Sequence, residues 1–160
     1  MTLKVALTYN LKRQPKADEQ VPEDFFAEFD DEETVNAIAG ALRRGGCRVT
    51  KIEADENAYR KLRRAMPDIV FNIAEGLHGE SRESHIPTIL EMLGIPYTGS
   101  GPLTLAIALN KAVTHQILEA NLIPHPYFQV FKRADERIDP KLRLPAIVKP
   151  LSEGSSKGVR

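Results

Sequence analysis

The sequence is short of cysteine, of net charge and of long apolar runs, and each shortage removes a class of function. Cys47 is the one cysteine. No internal disulfide can form, and no C-x-x-C pair stands ready for zinc. Lying between a helix and a strand, it reads as a small core residue. Lysine and arginine total 22, and aspartate and glutamate 22. That balance argues against a generic nucleic-acid binder, which is usually strongly basic. No apolar run reaches the ~18 residues that a membrane helix needs. Met1-Thr2-Leu3-Lys4 leads into a strand rather than a signal peptide. The expectation is a cytoplasmic protein with neither a nucleic-acid nor a membrane partner. Internal repeats, low-complexity tracts, zinc-type spacings and a nucleophile elbow are all missing too.

What is present is an alternation of strands and helices in a chain of 160 residues, enough to bury a real core. Leu3 to Tyr9 reads as a first strand. From Asn10 to Glu33 the chain is charged, with Phe25, Phe26 and Phe29 as anchors. It reads as a solvated surface loop, with a functional lid as the second reading. Thr34 to Arg44 is a helix by period, with Val35, Ile38, Ala39 and Leu42 on one face and Gly45-Gly46 as its stop. Arg48 to Ile52 is a second strand, and Asn57 caps a short helix that Pro67 closes. Asp68 to Ile73 is a buried strand of the parallel-sheet kind.

A polar, glycine-containing loop, Glu75 to Glu83, leads to a helix that starts at Ser84 or Pro87 and ends at Leu93. Ile95-Pro96-Tyr97 makes a short fourth strand. The pattern predicts a doubly wound α/β parallel sheet over residues 1 to about 97. A domain boundary is expected near residue 100. Beyond it come a helical piece from Leu103 to Leu109, a longer helix capped by Asn110, a strand from Tyr127 to Phe131 and a closing strand from Leu144 to Lys149.

Ligands of open α/β sheets collect beyond the carboxyl ends of the strands. Two such ends are rich in functional groups. After Ile73 stand Glu75, Gly76, His78, Gly79 and Glu80, a loop able to orient a small charged substrate, or merely a solvated one. His85, His115 and His125 lack a clustered spacing and read as structural. After Val148 come Lys149, Pro150 and the run Glu153-Gly154-Ser155-Ser156-Lys157-Gly158. Its amides can curl around a phosphate beside the lysine charge, although Gly and Ser equally suit an ordinary hairpin. The Walker spacing is absent. Lys111 opens a helix, where anions are attracted, and adds a second charge.

Ile95-Pro96-Tyr97-Thr98-Gly99-Ser100-Gly101, Asn110-Lys111, Leu144-Pro145, Val148-Lys149-Pro150 and Glu153 to Ser156 together resemble the D-alanine–D-alanine ligases of the ATP-grasp superfamily, over about Asp68 to Arg160. The resemblance implies a pre-ATP-grasp, Rossmann-like domain over residues 1–100. The first part of an ATP-grasp domain would follow over residues 101–160. It implies that Lys111 and Lys149 hold ATP phosphates and that Glu153, Gly154, Ser155 and Ser156 form the loop over them, Ser155 also serving catalysis on the substrate side. The implied reaction is phosphorylation of one amino acid's carboxylate by ATP and attack by the amine of a second. Magnesium ligands are expected in a later portion, beyond Arg160. A homodimer through the first domain is a further implication.

Three departures from the family pattern matter. Tyr9-Asn10 and the long acidic connection replace the family's Gly-Gly and its ammonium-binding glutamate, a role for which Glu19 and Glu23 are the candidates. The family's His-Gly falls on Glu75-Gly76 counted from the strand, or on His78-Gly79 by residue type, so the amino-acid pair stays open. The chain also reads as an amino-terminal fragment, expected to be inactive alone and disordered in its final Gly-Ser loop. The alternative is a non-catalytic amino-acid-binding or assembly module.

Overall fold

The computed structural model describes residues 2–13, 21 and 24–158. Three strands, β1 (Lys4–Tyr9), β2 (Arg48–Glu53) and β3 (Ile69–Asn72), form a parallel sheet in the order β2-β1-β3. Helix α1 (Glu32–Arg44) crosses from β1 to β2, and α2 (Ala58–Ala65) from β2 to β3. After β3 come a 3₁₀ turn at Arg82–Ser84 and three helices, α3 (His85–Leu93), α4 (Pro102–Leu109) and α5 (Lys111–Ala120).

The central strand is apolar on both faces because helices cover both. Successive side chains of a strand point to opposite sides. Ala6 therefore packs with Ile52, Val70, Leu62 of α2 and Leu90 of α3. Leu7, on the other side, packs with Val35 and Ala39 of α1. Leu7, Leu62 and Leu90 are fully buried, and sealing each such side chain from water is worth about 2 kcal/mol. The small Ala6 leaves room for two helices on its face, whereas the larger Leu7 meets one.

Local signals explain where the helices begin and end. Asp31 accepts the Thr34 N–H at 2.7 Å and caps α1. Glu32 and Glu33 open that helix and Arg43 and Arg44 close it, as its dipole favours. Asn110 is the joint between α4 and α5, its side chain accepting the Val113 N–H at 3.1 Å. Asn57 precedes α2 without a side-chain capping bond, because its oxygen faces Arg60 instead.

The α/β expectation with a parallel sheet holds, with differences at the edges. The fourth strand is reduced to a bridge between Tyr97 and Val70. The runs 127–131 and 146–149 take no regular secondary structure and find no ladder partner among the described residues, and Leu144 and Pro145 form a bend. Ile147 and Val148 are 70% and 82% exposed rather than buried. β-branched composition makes a strand only where a neighbouring backbone is in register to pair with it. Cys47 is half-buried rather than in the core.

Candidate functional site

All three strands end on the same side, so three connections meet there. Asn10, just beyond β1 and 2% exposed, ties them together. Its amide donates to the Ala54 carbonyl after β2 at 3.0 Å and accepts the Gly76 N–H after β3 at 2.9 Å. One side chain thus satisfies backbone groups of both neighbouring loops, which burial would otherwise leave without partners.

Beside this tie lies a buried ionic network that joins residues far apart in sequence. The Arg82 Nη2 donates to both carboxylate oxygens of Glu28, at 2.8 and 2.7 Å, and to Glu153 Oε2 at 3.0 Å. Its Nη1 donates to the Ser152 carbonyl at 2.9 Å. Glu28 Oε1 also accepts the Gly154 N–H at 2.6 Å. Asp24 accepts the Gly158 N–H at 2.7 Å, and Lys157 pairs with Glu153 at 3.1 Å. Lys111 closes the assembly from α5. Its backbone N–H meets the Leu151 carbonyl at 3.0 Å, and its ammonium meets the Glu153 carbonyl at 2.5 Å.

The Gly-Ser loop, expected to be disordered, is therefore docked through residue 158. The acidic connection is likewise more than a solvated loop. Phe26 and Glu28 are buried in it, and its carboxylates reach the loop amides. Glu19 and Glu23 lie outside the described residues.

The remaining candidates divide between two places. Glu75 lies within electrostatic reach of Glu83, Glu28, Asp30 and Arg82. Burial first, then repulsion from those three carboxylates, pushes its carboxyl up from the ordinary 4.5 to about 7, while Arg82 pulls it partly back. Burial also raises Glu83, against the pull of Arg82 and Lys111. Gly76 and the exposed His78 instead line a groove of 460 Å³ between α2 and α3, with Ala58, Tyr59, His85 and Ile89. Ser155 and Ser156 are exposed, with left-handed φ of 46° and 60°, and Lys149 lies exposed on the irregular run before them. His115 and His125, unclustered in sequence, meet with their Nδ1 atoms 3.3 Å apart, His115 stacking on Phe128.

Glu75 carries a stability prediction. A carboxyl whose folded pKa lies above its unfolded value favours the fold fully below about pH 4.5, and that support is lost as pH rises through 7. Water reaches part of this side chain and screens the repulsion. Glu75→Gln should thus raise stability at pH 8 by about 1 kcal/mol and leave it little changed at pH 4. Urea unfolding at both pH values measures this, and a gain independent of pH would contradict the repulsion.

Sequence reasoning missed Asn10, Asp24, Glu28 and Arg82. One signal was available for Glu28: a carboxylate set between Phe26 and Phe29 is a charge in apolar surroundings.

No family model matches the chain. Among curated proteins, it is 38% identical over 122 residues to the D-alanine–D-alanine ligase of Erythrobacter litoralis. The match covers 76% of this chain and 37% of that protein. To the D-alanine–D-alanine ligase of Novosphingobium aromaticivorans it is 40% identical over 123 residues, covering 76% and 38%. The chain is related to the amino-terminal portion of the D-alanine–D-alanine ligases. An uncharacterized Sinorhizobium fredii protein, y4sG, is 35% identical over 133 residues, covering 78% of this chain and 39% of that one. The solved D-alanine–D-alanine ligase of Bacillus anthracis superposes with a TM-score of 0.68 at 25% identity, covering 99% of this chain and 49% of that ligase. The same enzyme complexed with ATP gives a TM-score of 0.68 at 23% identity, a likeness of fold. The chain spans about two-fifths of the length of the curated ligases it matches.

Proposed function

We propose that this chain is the front portion of an ATP-dependent carboxylate–amine ligase. The observation that carries the reading is the convergence of Lys111 and residues 151–158 on the carboxyl edge of the sheet, beside buried Glu28 and Arg82. Residues 1 to about 100 would form the substrate-side domain, and 101–160 the first part of the nucleotide-binding domain.

The residues present fit a nucleoside triphosphate. Lys111, Lys149 and Lys157 supply positive charge. Ser155 and Ser156, exposed and left-handed, supply backbone amides and hydroxyls, while the Gly154, Lys157 and Gly158 N–H groups are held by Glu28, the Gly154 carbonyl and Asp24. Phosphoryl transfer depends mainly on such charge neutralisation and positioning. ATP would supply the phosphoryl group that turns a carboxylate oxygen into a leaving group. The amine of a second amino acid would then attack the acyl carbon, forming the amide bond and expelling phosphate. Glu75, Gly76 and His78 would border the substrate, and Ser155 would bridge substrate and phosphate. Among the described residues no group of three or more His, Cys, Asp or Glu is arranged for a metal ion.

Calorimetric titration of the chain with MgATP tests the nucleotide half of the reading. Lys111→Ala should weaken binding about tenfold, the loss of roughly one charge-assisted contact. Absence of binding by the unaltered chain would remove the phosphate assignment. The chain alone is expected to make no dipeptide. Phosphate release from ATP and D-alanine above a Lys149→Ala control would overturn that expectation.

A second reading, an assembly or amino-acid-binding module without catalysis, draws on the groove between α2 and α3 that Gly76 and His78 line. It predicts amino-acid binding that is indifferent to Lys111→Ala.

A further inference from the structure

The buried guanidinium of Arg82 has a place in neither the lysine pair nor the Gly-Ser motif. We propose that Arg82 is a positioning residue for the loop: it docks Ser152 and Glu153 onto the sheet body and holds the charge of Glu28 off the phosphates that the loop takes. The proposal rests on the reading of residues 150–158 as a phosphate loop.

The geometry favours this over a general stabilising pair. Arg82 touches three separate stretches of chain, at Glu28, Ser152 and Glu153, separated from it by 54, 70 and 71 residues. A guanidinium can do this because its fork presents several donors in one plane, whereas a lysine ammonium offers one point of charge. Two of the four bonds go to the loop itself, one to a backbone carbonyl and one to a side chain.

Charge gives the second argument. Glu28 holds the Gly154 N–H at 2.6 Å, so a carboxylate sits on a loop amide, the kind of donor a phosphate would use. At that range an unpaired carboxylate would repel a phosphate strongly, since the site is partly closed to water and little screened. Arg82 cancels that charge while leaving the Glu28 oxygen on the amide. Lys111 and Lys157 then complete a positive rim around Glu153. The carboxylates of Glu75 and Glu83 lie within electrostatic reach of the same guanidinium, so its loss would expose the loop to more than one negative charge.

MgATP titration of Arg82→Met, Arg82→Lys and Glu28→Gln/Arg82→Met, with amide exchange at Gly154 read by NMR, tests the idea. Arg82→Met should bind about tenfold or more weakly, and Gly154 should lose protection. Arg82→Lys should recover part of the affinity. Glu28→Gln added to Arg82→Met should bring it back to within about threefold of the unaltered chain, because the uncompensated charge is gone. A role in stability alone would not yield to that second substitution. The proposal is overturned if Arg82→Met binds as the unaltered chain does, or if the double variant stays as weak as the single one. Should Arg82→Met fail to fold, Arg82→Lys decides, and unchanged affinity overturns. Should the unaltered chain bind no nucleotide, the phosphate reading fails by itself. Gly154 exchange then decides the docking role: greater protection in the unaltered chain than in Arg82→Lys supports it, and equal exchange overturns it.

Discussion

Gly76→Ala should destabilise the fold by about 3–5 kcal/mol, enough to threaten the native state of a domain of this size. Gly76 is buried, with φ at +81°, a region where a Cβ is strained whatever the space around it. Space is lacking as well. A Cβ there would stand 2.2 Å from the Arg82 carbonyl oxygen and 2.6 Å from its carbon, both backbone atoms that no rotamer change can move aside. Relief requires shifting either the Arg82 backbone, which carries the buried guanidinium, or the Gly76 N–H held by Asn10 at 2.9 Å. Gly79 is the control. Its φ of +94° is equally unsuited to a side chain, but nothing lies within 4 Å of its Cβ position. Gly79→Ala should therefore cost only the conformational part, about 1 kcal/mol. Equal losses for the two variants in urea unfolding would show that the close approach contributes nothing.

These two glycines also mark how far the sequence could be read. The loop after β3 was legible as a strand end rich in polar groups, and the parallel sheet that aims it was legible from strand–helix alternation. Ala6 and Leu7 belong to a short run buried on both faces, whose local signal is strong. The motif around Glu153 to Ser156 was likewise local, as was the lysine after Asn110. What stayed hidden depends on contacts across the chain. Nothing in the composition of residues 81–84 says that Arg82 will meet a glutamate 54 positions earlier. Tyr127 to Phe131 and Ala146 to Val148 have strand composition, yet a ladder needs a partner backbone, which composition does not report. The docking of residues 152–158 was missed for the same reason. Its anchors, Asp24, Glu28 and Arg82, lie in other connections.

Glu28→Ala should cost about 3 kcal/mol, toward the low end of what breaking one side of a buried ion pair does. Three effects add. The Arg82 side chain, 7% exposed, loses two of its four hydrogen bonds, both charge-assisted. The Gly154 N–H loses its acceptor. The third effect is a small void where the carboxylate stood. Glu153, whose side chain is 32% exposed, still faces the guanidinium and limits the loss. Glu28→Gln keeps the shape and an acceptor for Gly154, and should cost less, about 1–2 kcal/mol. Replacing both ends tells more than either single change. With Arg82→Met added, the guanidinium that Glu28→Ala leaves under-compensated is itself removed. The double variant should then be more stable than the sum of the two single losses predicts, by about 1.5 kcal/mol or more. Losses that simply add would mean that Glu28 and Arg82 act through separate neighbours and that the short distances between them carry little coupling. Coupling of the expected size would mean that the acidic connection, the turn before α3 and the Gly-Ser loop are held as one unit by the Glu28–Arg82 pair.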